Sequence, residues 1–137
     1  MADVKISALP AASALTGDEL LPVVQGGVTL QTSARAIQRI PVNTQTGTAY
    51  TLVAADAGKL TRLDNAAAIA LTLPTGVFTV GDVVLIRQVG AGQVTASGGT
   101  IVPASPKTRA LGSVMSLHYV ATDTWDASGD QIGRAHV

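Results

Sequence analysis

The sequence predicts a mainly β protein: an N-terminal arm, residues 1–40, made of a β-hairpin and a short helix, followed by a body, residues 41–137, folded as a small antiparallel β-sandwich or barrel. Three observations lead there. Hydrophobic residues make up 47% of the chain but aromatic ones only 3%, so the apolar mass is mostly Ala and β-branched side chains that suit thin sheets and close chain-to-chain packing. From Tyr50 onward, short strand-like runs recur at regular spacing with glycine between them. Between the two parts lies a polar joint, residues 41–47, rich in Thr and Asn.

The arm opens on Ile6-Ser7-Ala8-Leu9-Pro10-Ala11-Ala12, which Pro10 biases toward extended backbone at Leu9. Thr16-Gly17-Asp18-Glu19 reads as a turn. Leu20-Leu21-Pro22-Val23-Val24 and Val28-Thr29-Leu30-Gln31-Thr32 are two short strands joined through Gln25-Gly26-Gly27, a glycine pair suited to the positive φ angles of a tight hairpin. Pro22 makes the first an edge strand. Ser33 can cap a helix over 34–39, carrying Ile37, that Pro41 stops. Two strands and so short a helix cannot bury a core of their own, so the arm must lie on another surface.

In the body, strands are expected at 49–53, 59–63, 69–73, 83–89, 93–96, 100–102, 113–121 and 125–127, with a helical turn at 54–57 stopped by Gly58. Alternation within 113–121 puts Met115, Leu117, Tyr119 and Ala121 on one face and Val114, Ser116, His118 and Val120 on the other. Val83-Val84-Leu85-Ile86 is apolar on both faces, which places it centrally in a sheet or between chains. Neither a heptad region nor an internal repeat is visible.

Nine basic residues balance nine acidic ones, and the Lys and Arg are scattered from Lys5 to Arg134 without a cluster, a distribution that offers no footprint for nucleic acid or an anionic membrane. No apolar run reaches membrane-spanning length and the N-terminus lacks a secretory pattern, so a soluble cytoplasmic product is expected. The chain has no Cys, which removes disulfides, thiolate metal sites and Cys nucleophiles.

Catalytic signals are weak. Only His118 and His136 could serve as a base, the first in an apolar strand and the second next to the C-terminus, and neither has a marked partner. Gly90-Ala91-Gly92 and Gly98-Gly99 lack the flanking pattern of a phosphate loop and read as hairpin turns. Asp123, Asp126 and Asp130 could offer oxygen ligands to Ca²⁺, but their spacing is that of turns. Glu19 is the sole glutamate, and no carboxylate pair stands out. Trp125 could stack on a sugar, although its neighbours favour packing against Tyr119. No cofactor, metal or enzymatic activity is expected. A polysaccharide depolymerase in particular would want a β-solenoid period and a carboxylate-rich groove.

Two stretches carry a resemblance. The first comprises Ile6 to Ala12, then Leu15-Thr16-Gly17-Asp18-Glu19-Leu20-Leu21-Pro22-Val23-Val24-Gln25-Gly26-Gly27, and finally 32–37. It resembles an N-terminal element of tailed-bacteriophage tail-fibre and virion-surface proteins. The second comprises 50–59, Leu73-Pro74, 80–92 and 124–130, and is similar to small β modules of phage fibres and head decorations, often trimeric.

The resemblance implies a virion structural protein made in the host cytoplasm: a short trimeric tail fibre, or alternatively a capsid decoration protein. Its partners would be copies of itself and other virion proteins of the tail, neck or capsid. The attachment residues would be Leu9, Pro10, Leu20, Leu21, Pro22, Val23, Val24, Gly26, Gly27 and Ile37. A host-surface glycan, if one is bound, would meet Tyr119 or Trp125.

Overall fold

A computed structural model describes residue 14 and residues 16–132. The chain divides into two compact units, Met1–Arg39 and Ile40–Val137.

In the first unit, β1 (Leu20–Gln25) and β2 (Val28–Ser33) pair antiparallel from Leu20 opposite Ser33 to Gln25 opposite Val28. The loop between them is Gly26-Gly27, with φ of 59° and 78°, the doubly left-handed backbone of a two-residue hairpin turn that glycine adopts without a Cβ penalty. Ser33 is extended and its Oγ accepts the Ala36 N–H at 3.2 Å, capping α1 (Ala34–Gln38). Ahead of the hairpin, the Glu19 carboxylate accepts the Thr16 N–H at 2.6 Å, the Thr16 hydroxyl at 2.8 Å and the Gly17 N–H at 2.8 Å. These bonds, led by the Thr16 backbone, favour the ionised form and lower the Glu19 pKa to about 2.

Because this folded-state pKa is depressed, the turn's stabilisation is complete above the ordinary glutamate value and is lost only as pH falls toward 2. A side-chain carboxyl NMR titration should therefore place the Glu19 midpoint well below 4. A midpoint in the ordinary glutamate range would mean that the turn does not hold these bonds in solution.

The second unit corrects the expected sandwich or barrel. It is a β-solenoid of about three turns. The chain runs through β3 (Val42–Gln45), β4 (Ala49–Thr51), β5 (Leu60–Leu63), β6 (Ile69–Thr72), β7 (Val83–Gln88) and β8 (Val94–Ser97), and successive strands fall in alternate sheets. Strands β3, β5 and β7 stack in parallel in one sheet, and β4, β6 and β8 do so in the other. Each strand thus pairs with one a full turn away, where a sandwich of hairpins would pair it with its sequence neighbour.

After three turns the winding stops. Next come β9 (Thr100–Val102), β10 (Lys107–Thr108), β11 (Val114–Ala121), β12 (Thr124–Gly129) and β13 (Gln131–Ile132). The β11–β12 hairpin lies antiparallel on β7, β9 joins β12 in parallel, and β10 lies antiparallel between β8 and β13. These strands extend both sheets beyond the last turn, with orders β3-β5-β7-β11-β12-β9 and β4-β6-β8-β10-β13. As its two-faced apolar pattern suggested, β7 is central in its sheet.

Inward side chains of both sheets form one core: Leu63, Val84, Ile86, Met115, Leu117 and Trp125 from one, Ile69, Leu71, Val94 and Ala96 from the other. The first turn is closed by a polar knot around buried Asp56, in the 3-10 turn Ala54–Asp56. The Asp56 carboxylate accepts from the Asn43 side chain (2.9 Å), the Tyr50 hydroxyl (2.8 Å) and the Val53 N–H (2.9 Å). Burial first, and then the bond to Asp56, push the Tyr50 hydroxyl above its ordinary pKa. At the other end, the buried Gln88 and Thr108 side chains bond each other, and the Thr108 hydroxyl also accepts the Val94 N–H.

The expected polar joint contains a strand, β3, whose Asn43 and Gln45 point inward to the polar knot and to each other. Polar inward residues hid it, since strand patterns are sought in apolar alternation.

The glycines expected in hairpins are in solenoid corners. Gly90 and Gly92 lie where β7 leads to β8, directly over Asn65 and Ala67 in the corner between β5 and β6, so close that a Cβ on either would enter the lower backbone. Gly98 and Gly99 lead from one sheet to the other and lie against the Leu73 and Asp123 carbonyls.

Candidate functional site

The proposed attachment residues fall in two groups. Leu9 and Pro10 lie outside the described residues. The rest sit on the hairpin and helix of the first unit, where Leu20 is 62% exposed, Val24 73% and Ile37 61%, with Leu21, Pro22, Gly26 and Gly27 also exposed and Val23 half-buried. Among the described residues of this unit, Ala34 is the one buried hydrophobic side chain.

The two rings expected to meet a glycan are elsewhere than that role needs. Tyr119 is 4% exposed and Trp125 fully buried. They face each other across β11 and β12 and pack edge-on against one another, with Phe78 edge-on to Trp125 and tilted against Tyr119, so neither presents a ring face to solvent. The Tyr119 hydroxyl is occupied too, accepting the Asp123 N–H at 2.6 Å. Core packing displaces the receptor role at both positions.

His118 gains a partner that the sequence left unmarked. On the exposed face of β11, its Nε2 lies 2.9 Å from the Ser116 Oγ, and Asp126 stands opposite it on β12 without a hydrogen bond between them. A serine nucleophile also needs donors aimed at a developing oxyanion. Here the strand is paired on both sides, with β7 and β12, so its amides belong to the ladders.

The three acids near Trp125 point to separate tasks. Asp123 accepts the Gly76 N–H at 2.8 Å, Asp130 accepts the Ser113 hydroxyl at 2.7 Å and pairs with Arg109 at 3.1 Å, and Asp126 faces solvent. Among the described residues, no three His, Asp or Glu side chains converge as a metal site.

What the sequence reading missed is an arginine pair. Arg62 on β5 and Arg87 on β7 are register partners on the outward face. They line an open cavity of about 430 Å³ with Gln88, Val89, Leu111 and Gly112. Alternation along each strand gave the face of each arginine, but only parallel pairing between successive turns sets the two side by side. The chain matches no family model and no curated protein. Its chemistry has to be read from these surfaces.

Proposed function

We propose that this protein is a non-enzymatic assembly module, a short fibre-like component of a tailed-phage particle that works as a homo-oligomer, most simply a trimer. The first unit is the attachment element and the solenoid is the projecting body. One observation carries the reading: among its described residues the hairpin unit presents Leu20, Leu21, Val24, Val28, Leu30 and Ile37 to solvent and buries one hydrophobic side chain, Ala34. An apolar surface of this kind on so small a unit marks an interaction site. Both hairpin strands are also edges, with backbone groups able to pair with an added strand.

The body supports self-association through its outer face. Val42, Leu60 and Leu85 follow one another in register across β3, β5 and β7, a row of large apolar side chains pointing away from the core. The resemblance of the arm and body segments to virion proteins supplies the particle.

Light scattering on the full chain at micromolar concentration should give a trimer mass. A truncation beginning at Ile40 keeps the whole solenoid core and should yield a soluble, folded body that no longer joins the particle. Monomer alone would remove the oligomer, and normal incorporation of the truncated body would remove the attachment role.

A further inference from the structure

We propose that the groove over Arg62 and Arg87 is a binding site for a small phosphate-class oxyanion, either the free ion or the phosphate of a sugar. This goes beyond the assembly reading and uses residues of the solenoid alone.

Three observations converge. First, the arginines are directly opposite each other on adjacent parallel strands, so their stems stand one strand spacing apart, about 4.8 Å. Like charges so placed repel and destabilise a sheet unless something lies between them. Second, no described residue neutralises them. Among the described residues the ion pairs are Arg35 with Asp18 and Arg109 with Asp130, and no carboxylate lies within pairing distance of Arg62 or Arg87. Asp130, beyond β11, is held by Ser113 and Arg109, and Asp64, next but one to Arg62, pairs with neither guanidinium. Third, the pair does not stand on a flat face but lines a cavity of about 430 Å³, within the size range of small-ligand sites.

The rest of the lining sets what fits. The Gln88 side chain is buried and bonded to Gly90 and Thr108, and the Gly112 N–H goes to the Gln88 carbonyl, so the two guanidinium groups are the charged donors the groove offers a ligand. A tetrahedral dianion can accept from both forks at once, which a single carboxylate does less completely. Leu111, 67% exposed, gives the groove an apolar wall against which the carbon skeleton of a sugar phosphate can lie.

The test uses the full chain at fixed ionic strength, titrated separately with inorganic phosphate, glucose 6-phosphate and glucose while the amide NMR signals of Arg62, Arg87 and Gly112 are followed. Saturable shifts with both phosphate probes and none with glucose are expected. Tighter binding of the sugar phosphate assigns the apolar wall to the sugar, and equal binding assigns the site to the free ion. Arg62→Gln and Arg87→Gln should each weaken phosphate binding at least tenfold. Both should leave the melting temperature unchanged or raised without phosphate, since each relieves the repulsion. Shifts that fail to saturate, or that persist in the double variant, would overturn the site. So would a large fall in melting temperature in either single variant, because it would make the arginines structural.

Discussion

Replacing Trp125 with alanine is expected to remove about 3–5 kcal/mol of the solenoid's stability, the range for emptying a buried large aromatic site. The indole is fully buried, and its ring centre lies 4.9 Å from both Phe78 and Tyr119, edge-on to each at 74° and 79°. Such pairs contribute beyond the area they bury. The cavity left by alanine cannot collapse easily, because Tyr119 is fixed by its hydroxyl at Asp123 and Asp123 in turn holds the Gly76 and Thr100 amides. The indole N–H has no acceptor among the described residues. Trp125→Phe should therefore cost much less than the alanine variant, since it keeps a ring and removes an unpaired donor. Urea unfolding followed by circular dichroism measures both. An alanine variant within about 1 kcal/mol of the parent would mean that the aromatic cluster does not anchor the closing hairpin.

The second large effect is expected at Gly92, a residue whose φ is not in the left-handed region. Its value is the absence of a side chain. A Cβ there would fall within the Ala67 carbonyl group and only 2.8 Å from the Asn65 carbonyl oxygen, and both obstacles are backbone of the turn below. Backbone cannot rotate aside as a side chain can, so Gly92→Ala must lever two turns apart and strain the Gly92 N–H bond to the Asn65 carbonyl, now 2.8 Å. The expected loss is about 3 kcal/mol or more, at the upper end of what overpacking causes. Gly76→Ala separates the two roles of glycine. Gly76 has φ of 68° and open space around its missing Cβ, so it should lose only about 1–2 kcal/mol through backbone strain. Equal losses at the two sites would count against close stacking of the turns.

Much of the local structure was legible in the sequence. Gly26-Gly27 gave the hairpin, Ser33 and Pro41 bounded the helix region, and alternation put Met115, Leu117 and Tyr119 on one face, which the structure buries. These features depend on neighbours in sequence. Pairing between turns does not, and it was missed. The solenoid hid because its turns are unequal: Val42 pairs with Leu60, eighteen positions on, Leu60 with Leu85, twenty-five on, and Ala49 with Ala70, twenty-one on. No fixed period survives such variation, and short alternating strands with glycine corners serve a sandwich equally well. The arginine pair was missed for the same reason, since Arg62 and Arg87 become neighbours only through parallel register. At Trp125 the neighbours in sequence favoured packing against Tyr119 over a glycan platform, and with so few aromatics in the chain the core holds the ring.

The unequal turns divide the solenoid's corners by their tolerance of length. The corners at 64–68 and 89–93 have the same length and are locked glycine over backbone, so an added residue there would shift every later strand in its sheet. The opposite corners, 52–59 and 73–82, already differ in length while the strands that follow them stay in register. Lengthening a loop of that kind carries only a slowly growing entropic cost, about 0.6 kcal/mol per doubling. The side of the body that carries Gly76 is thus the place where a peptide graft, or a natural insertion, can be received without disturbing the rungs beneath it.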